Sequence, residues 1–199
     1  MISRRGLFSS LIDRVKEATS GIVESPTPKA KAKCFPVHRP PGAVAEEDFL
    51  ARCTRCGDCL KACPHDAIVL APSRMREAAG TPVIVANDKP CLHCDGTPCS
   101  SVCEPGVLRV DFPQKMGTAS INQMECLAWQ RTFCTVCEER CPIPGAISLD
   151  LGRPIVNSQA CTGCGVCFFV CPAPRKAVLL LPEAHRPAWE ERETDDPEP

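Results

Sequence analysis

Short apolar runs recur along this chain at nearly even spacing, and turn-forming residues cut each one off before a long helix or strand could develop. Val83-Ile84-Val85, Ala119-Ser120-Ile121 and Ile155-Val156 lead into Asn87, Asn122 and Asn157, each standing four residues ahead of a cysteine. A second set of runs follows the cysteines: Pro64 to Leu70, Glu104 to Val110, Pro142 to Leu149 and Pro172 to Leu181. Runs this short, bounded by Asn, Gly and Pro, predict strands and tight turns. Each unit therefore reads as a strand, a cysteine loop with a short helix, and a return strand, and the fold class expected is α+β.

The cysteines give the repeat its period. Sixteen of seventeen fall into four groups: Cys53, Cys56, Cys59 and Cys63; Cys91, Cys94, Cys99 and Cys103; Cys126, Cys134, Cys137 and Cys141; Cys161, Cys164, Cys167 and Cys171. The groups start at residues 53, 91, 126 and 161, intervals of 38, 35 and 35, which marks an internal repeat. Groups one and four read C-x2-C-x2-C-x3-C-P, the run by which bacterial ferredoxins hold a cubane iron–sulfur cluster. Four groups predict four [4Fe-4S] clusters with these sixteen cysteines as ligands. Disulfide scaffolds reach a similar cysteine density only in shorter secreted chains. Zinc sites usually join two separated cysteine pairs, whereas C-x2-C-x2-C sets three thiolates on one tight loop. Cys34 stands outside every repeat and reads as a free thiol.

In two-cluster ferredoxins the fourth cysteine of each half ligates the other half's cluster, so the repeats should pair. Two tandem ferredoxin-like modules follow, each a paired dicluster unit. Either neighbours pair, or the chain folds back so that repeat one meets four and two meets three. Matching spacings in groups one and four favour the fold-back, which would join Cys53, Cys56 and Cys59 with Cys171, and Cys161, Cys164 and Cys167 with Cys63. Gly57, Gly163 and Gly165 are expected either to let backbone approach the clusters or simply to form turns.

Little ordinary core is available, with no tyrosine, two tryptophans and twenty-one prolines. Cluster binding must then supply much of the folding free energy. Residues 1–40 carry eight Lys or Arg against three acids, and residues 183–199 carry seven acids against two arginines. The organisation expected is an amphipathic N-terminal helix over 1–20, a Pro/Lys-rich linker over 21–48, the cluster-binding region over 49–182 and a solvated acidic tail over 183–199. Bound thiolates make the protein more acidic than its formal charge of −1, which argues against a nucleic-acid partner. Ser3-Arg4-Arg5-Gly6 looks like a twin-arginine export signal. Asp13, Arg14, Lys16 and Glu17 interrupt the apolar stretch that must follow it, so retention in the cytoplasm is expected, with periplasmic export as the alternative. No apolar run approaches the ~18 residues of a transmembrane helix. His38, His65, His93 and His185 are scattered, with no nucleophile or paired carboxylate at catalytic spacing, so no substrate site of its own is expected.

The chain resembles the NapF-type ferredoxin accessory proteins of periplasmic nitrate reductase. The resemblance is carried by Ser3-Arg4-Arg5-Gly6, by Phe49-Leu50-Ala51-Arg52-Cys53-Thr54-Arg55-Cys56, by Glu125-Cys126-Leu127-Ala128-Trp129-Gln130 and by Asn157-Ser158-Gln159-Ala160-Cys161. It implies an iron–sulfur protein that contacts the catalytic subunit of a molybdenum oxidoreductase such as nitrate reductase before export, assisting its maturation or supplying electrons. Asp95-Gly96-Thr97-Pro98, between Cys94 and Cys99, instead resembles the NapG type and the four-cluster subunits of molybdenum oxidoreductases. Those proteins imply the alternative role, an electron-wire subunit of a membrane-associated, quinol-linked oxidoreductase.

Overall fold

A computed structural model describes residues 37–191. The helix expected over 1–20, Cys34 and the end of the acidic tail lie outside the described residues. The elements, in chain order, are α1 (Glu46–Arg52), α2 (Asp58–Lys61), β1 (Ile68–Leu70), a 3-10 segment (Ser73–Ala78), β2 (Pro82–Ile84) and α3 (Pro98–Ser101). They continue with β3 (Gly117–Ile121), α4 (Val136–Glu139), β4 (Ile147–Asp150), β5 (Arg153–Val156), α5 (Val166–Val170) and β6 (Val178–Pro182). Helices α2 to α5 are single turns, and each carries the third cysteine of its group: Cys59, Cys99, Cys137 and Cys167.

Strand pairing reveals two modules with one plan. In the second, the lead strand of repeat three pairs with the return strand of repeat four, β3 with β6, setting Ile121 opposite Val178. Its other pair is β4 with β5, where Leu151 and Gly152 both take positive φ, 47° and 76°. Such values suit the two-residue turn of a tight hairpin. In the first module β1 pairs with β2, setting Ile68 opposite Ile84. The counterpart of β3 with β6 shrinks here to a bridge between Ala43 and Leu108. Val44 N–H donates to the Val107 carbonyl at 3.1 Å, and Arg109 N–H to the Gly42 carbonyl at 2.9 Å. The expected return strand over Glu104 to Val110 is thus only a bridge, because its partner offers three residues before α1 begins.

Two boundaries need correction. Residues 37–44 are not linker: Val37, Arg39, Ala43 and Val44 are buried. Arg39 explains why so polar a stretch can enter the core. Its guanidinium is fully buried, makes two contacts with the Glu46 carboxylate, donates to Thr81 Oγ1 at 2.7 Å and to the Pro82 carbonyl at 2.8 Å, and stacks 4.2 Å over the Phe49 ring. A buried charge this fully paired avoids most of its desolvation penalty. Nor is the chain free from Glu183 onward. Ala45 N–H donates to the Pro187 carbonyl, Arg186 reaches Glu46 and the Val37 carbonyl, and Trp189 donates its ring N–H to the Pro105 carbonyl at 3.2 Å. Arg52 stacks on the Trp189 ring at 3.4 Å. Residues 183–190 therefore form a strap from the second module back across the first.

Candidate iron–sulfur centres

The sixteen cysteines converge on four separate spaces. Quartet I is Cys53, Cys56 and Cys59 with Cys103; quartet II is Cys91, Cys94 and Cys99 with Cys63. Quartet III is Cys126, Cys134 and Cys137 with Cys171; quartet IV is Cys161, Cys164 and Cys167 with Cys141. In each, three cysteines come from one repeat and the fourth from its sequence neighbour. The fold-back pairing is therefore wrong: Cys171 joins Cys126, Cys134 and Cys137, while Cys63 joins Cys91, Cys94 and Cys99. The physical reason lies in the strands. β1 of repeat one pairs with β2 of repeat two, and β3 and β4 of repeat three pair with β6 and β5 of repeat four, so the ladders set each repeat beside its sequence neighbour within a module.

Local backbone sets the thiols in place. Cys126 N–H donates to the Asn122 carbonyl at 3.0 Å and Cys161 N–H to that of Asn157 at 2.9 Å, while each asparagine side chain accepts from the backbone two residues on. These are the side-chain turns that asparagine favours. In repeat one the same bond runs from Cys53 to the Phe49 carbonyl within α1, and Asn87 does not make it at all. Pro90 precedes Cys91, whose N–H crosses to the other module and donates to the Cys164 carbonyl at 3.0 Å.

The donor set fits an iron–sulfur cluster. None of the sixteen cysteines is in a disulfide. Among the described residues no three Cys, His, Asp or Glu side chains meet at single-ion distance, which a zinc site with Zn–S near ~2.3 Å requires. The thiols instead stand around a larger space, with the exchanged fourth ligand of the two-cluster ferredoxin pattern. Burial pushes Cys59, Cys91 and Cys167 up to about 12 and Cys137 up to about 11. Crowding by quartet partners adds to it: Cys103 acts on Cys59, Cys126 on Cys137 and Cys164 on Cys167. Four thiolates held this close need cationic charge among them. Backbone N–H groups also aim at sulfur, from Ala67 to Cys63 and from Ala119 to Cys161, both at 3.4 Å.

The Cys91 to Cys164 bond makes quartets II and IV neighbours across the module boundary. Since I and II share one module and III and IV the other, the spatial order is I, II, IV, III. Gly165 of repeat four allows this approach: a Cβ there would lie 2.4 Å from the Ala86 Cβ, whereas one on Gly163 would lie 2.5 Å from the Gly117 backbone within the second module. Gly57 has open space around it, and its φ of 81° alone explains it. The sequence gives no sign of this junction, because its partner Ala86 belongs to another repeat.

Residues 52–107 match a family described as a 4Fe-4S dicluster domain, and residues 152–173 a 4Fe-4S binding domain. The methylamine utilization ferredoxin-type protein MauM of Methylorubrum extorquens is 40% identical over 179 residues, covering 83% of this chain and 80% of that protein. Ferredoxin-type protein NapG of Escherichia coli is 42% identical over 161 residues, 72% and 70% of the two chains. NapF of the same organism is 29% identical over 175 residues, 85% and 90% of the two chains. The NapF-type resemblance thus gives way to NapG and MauM, as the long gap between Cys94 and Cys99 foreshadows. With cysteine quartets of ferredoxin pattern and these relatives, the chain belongs to the ferredoxin-type iron–sulfur electron-transfer proteins of the NapG and MauM kind.

Proposed function

We propose that each quartet holds one [4Fe-4S] cluster and that the protein is a four-site electron relay serving an oxidoreductase. The observation that carries this reading is the sorting of sixteen cysteines into four quartets, each with one ligand from a neighbouring repeat. Bound there, each cluster would supply a one-electron couple. The chain's own part is to present four thiolates per site, to bury most of them, and to bring the quartets into the contiguous order I, II, IV, III. A contiguous order is what a relay needs and what a store of independent centres does not.

The partner in this proposal is a redox enzyme system, and the relatives suggest two kinds. Likeness to NapG and NapF, which resemble companions of nitrate reductase, favours the catalytic subunit of a molybdenum oxidoreductase. Likeness to MauM favours methylamine utilization. A maturation role before export rests on the lower NapF similarity and is set second.

Anaerobically purified protein should contain about sixteen iron and sixteen acid-labile sulfide per chain, four for each cubane. Cys103→Ser should alter the centre held by Cys53, Cys56 and Cys59, and Cys63→Ser the centre held by Cys91, Cys94 and Cys99. Iron near twelve would remove one centre, and stoichiometric zinc without sulfide would refute the reading.

A further inference from the structure

Of the residues lining the four quartet spaces, Arg55 is, among the described residues, the one with a permanent charge. It sits between Cys53 and Cys56, second in the C-x2-C loop, where the backbone is left-handed with φ of 59°. The same loop position in repeat two is His93, φ 51°, and in repeat four Gly163, φ 70°. Gly163 packs against the Gly117 backbone and leaves no room for a side chain. In repeat three, Arg131 has φ of 64° but does not line its quartet.

Three main-chain carbonyls hold the Arg55 guanidinium in place. Nε donates to Ala79 at 3.1 Å, one terminal nitrogen to Cys53 at 3.3 Å and the other to Glu77 at 3.3 Å. Two of these belong to the 3-10 segment and the turn after it, which lie between β1 and β2 and have no counterpart between β4 and β5. Arg39 also faces Cys53, but the Glu46 carboxylate offsets its charge. Burial raises the Cys53 pKa on balance, and the Arg55 backbone N–H and charge oppose that rise.

We propose that Arg55 is a positioning and tuning residue that raises the reduction potential of the centre held by quartet I above what its thiolate cage alone would give. A cation beside a centre stabilises the reduced form, which carries one more negative charge. Since quartet I terminates the spatial order, the relay has an electron-accepting end at Cys53, Cys56, Cys59 and Cys103. This inference rests on the four-cluster reading.

The test is an anaerobic potentiometric titration of the full chain, followed by EPR at pH 8, for the wild type, Arg55→Gln, Arg55→Gly and Arg55→Lys. The quartet I signal is identified as the one altered in Cys103→Ser. Glycine suits the left-handed backbone, so Arg55→Gly is expected to fold and retain iron. In the Gln and Gly variants the quartet I midpoint should fall by up to tenfold in the one-electron equilibrium, about 59 mV, while the other midpoints stay. Lysine should retain most of the wild-type value. Because Arg55 is exposed on its outer side, the difference should narrow at about 1 M salt. A quartet I midpoint that does not move, that falls as far in Arg55→Lys, or that moves together with all the others overturns the proposal. Iron short of four centres in the wild type refutes the four-cluster reading on its own, before any variant is compared. A wild type lacking the quartet I signal overturns both.

Discussion

His38 illustrates how a single side chain can set the pH range of the fold. Its two ring nitrogens are buried without hydrogen-bond partners, and the main chain at Gly163 faces the ring without reaching bonding geometry. Burial lowers its pKa to about 4, and the nearby Arg186 charge reinforces the effect. A lowered folded value means that the unfolded chain takes up the proton first. The stability His38 permits is therefore complete above about pH 6.5 and is lost as pH falls toward 4, by at most about 1.4 kcal/mol per pH unit. Melting temperatures between pH 7.5 and 5 should fall in the wild type and fall less steeply in His38→Gln. Equal slopes would show that this imidazole is not what titrates. In the sequence His38 reads as one scattered histidine among four, since its burial depends on a segment that looks like linker.

The elements were legible wherever their signal was local. Asn122 and Asn157 turn the chain into their cysteine loops as the spacing predicts, and the apolar runs before and after the cysteines become β1 to β6, all but Glu104 to Val110. What escaped was non-local. The lead of repeat one is Gly42-Ala43-Val44, set back from Cys53 by α1, so the fourth copy of the plan goes unseen. The matched spacing of groups one and four then points to pairing them, although spacing constrains a loop and not its partner. The strand ladders, and not the loop spacing, decide the partner. The glycines make the same distinction testable. Gly165→Ala faces both a φ of 88° and a Cβ 2.4 Å from that of Ala86, for a loss of about 2 to 4 kcal/mol. Gly57→Ala faces only its φ of 81° in open space and should cost about 1 to 2 kcal/mol. Thermal unfolding of the two variants checks the order; equal losses would mean that the junction at Ala86 is not tightly packed.

At the largest scale, the described residues form two similar modules held by a loop junction and by the strap. The strap closes on the first module through Arg186 with Glu46, Trp189 N–H with Asp48, and the Trp189 ring with Arg52 and Pro105. A chain ending at Pro182 should lose hydrogen-exchange protection over residues 37–52 and 105–109, while the β4 and β5 hairpin keeps its own. Trp189 is part-buried and contributes less than the ~1.5 to 3 kcal/mol of a fully buried large apolar side chain, so Trp189→Ala should reproduce part of the effect. Loss spread evenly over both modules, or no loss, would show that the strap does not hold the first module in place.

The exchange of fourth cysteines also dictates a timetable at the ribosome. Quartet II has all its ligands once Cys99 has been made and quartet I once Cys103 has, but quartet IV waits for Cys167 and quartet III for Cys171. At ordinary synthesis rates the two halves become ready for metal roughly 3 to 13 s apart. During that interval the first half has its full set of thiols but not the strap of residues 183–190, so its N-terminal lead and α1 wait uncovered until the second half has been made.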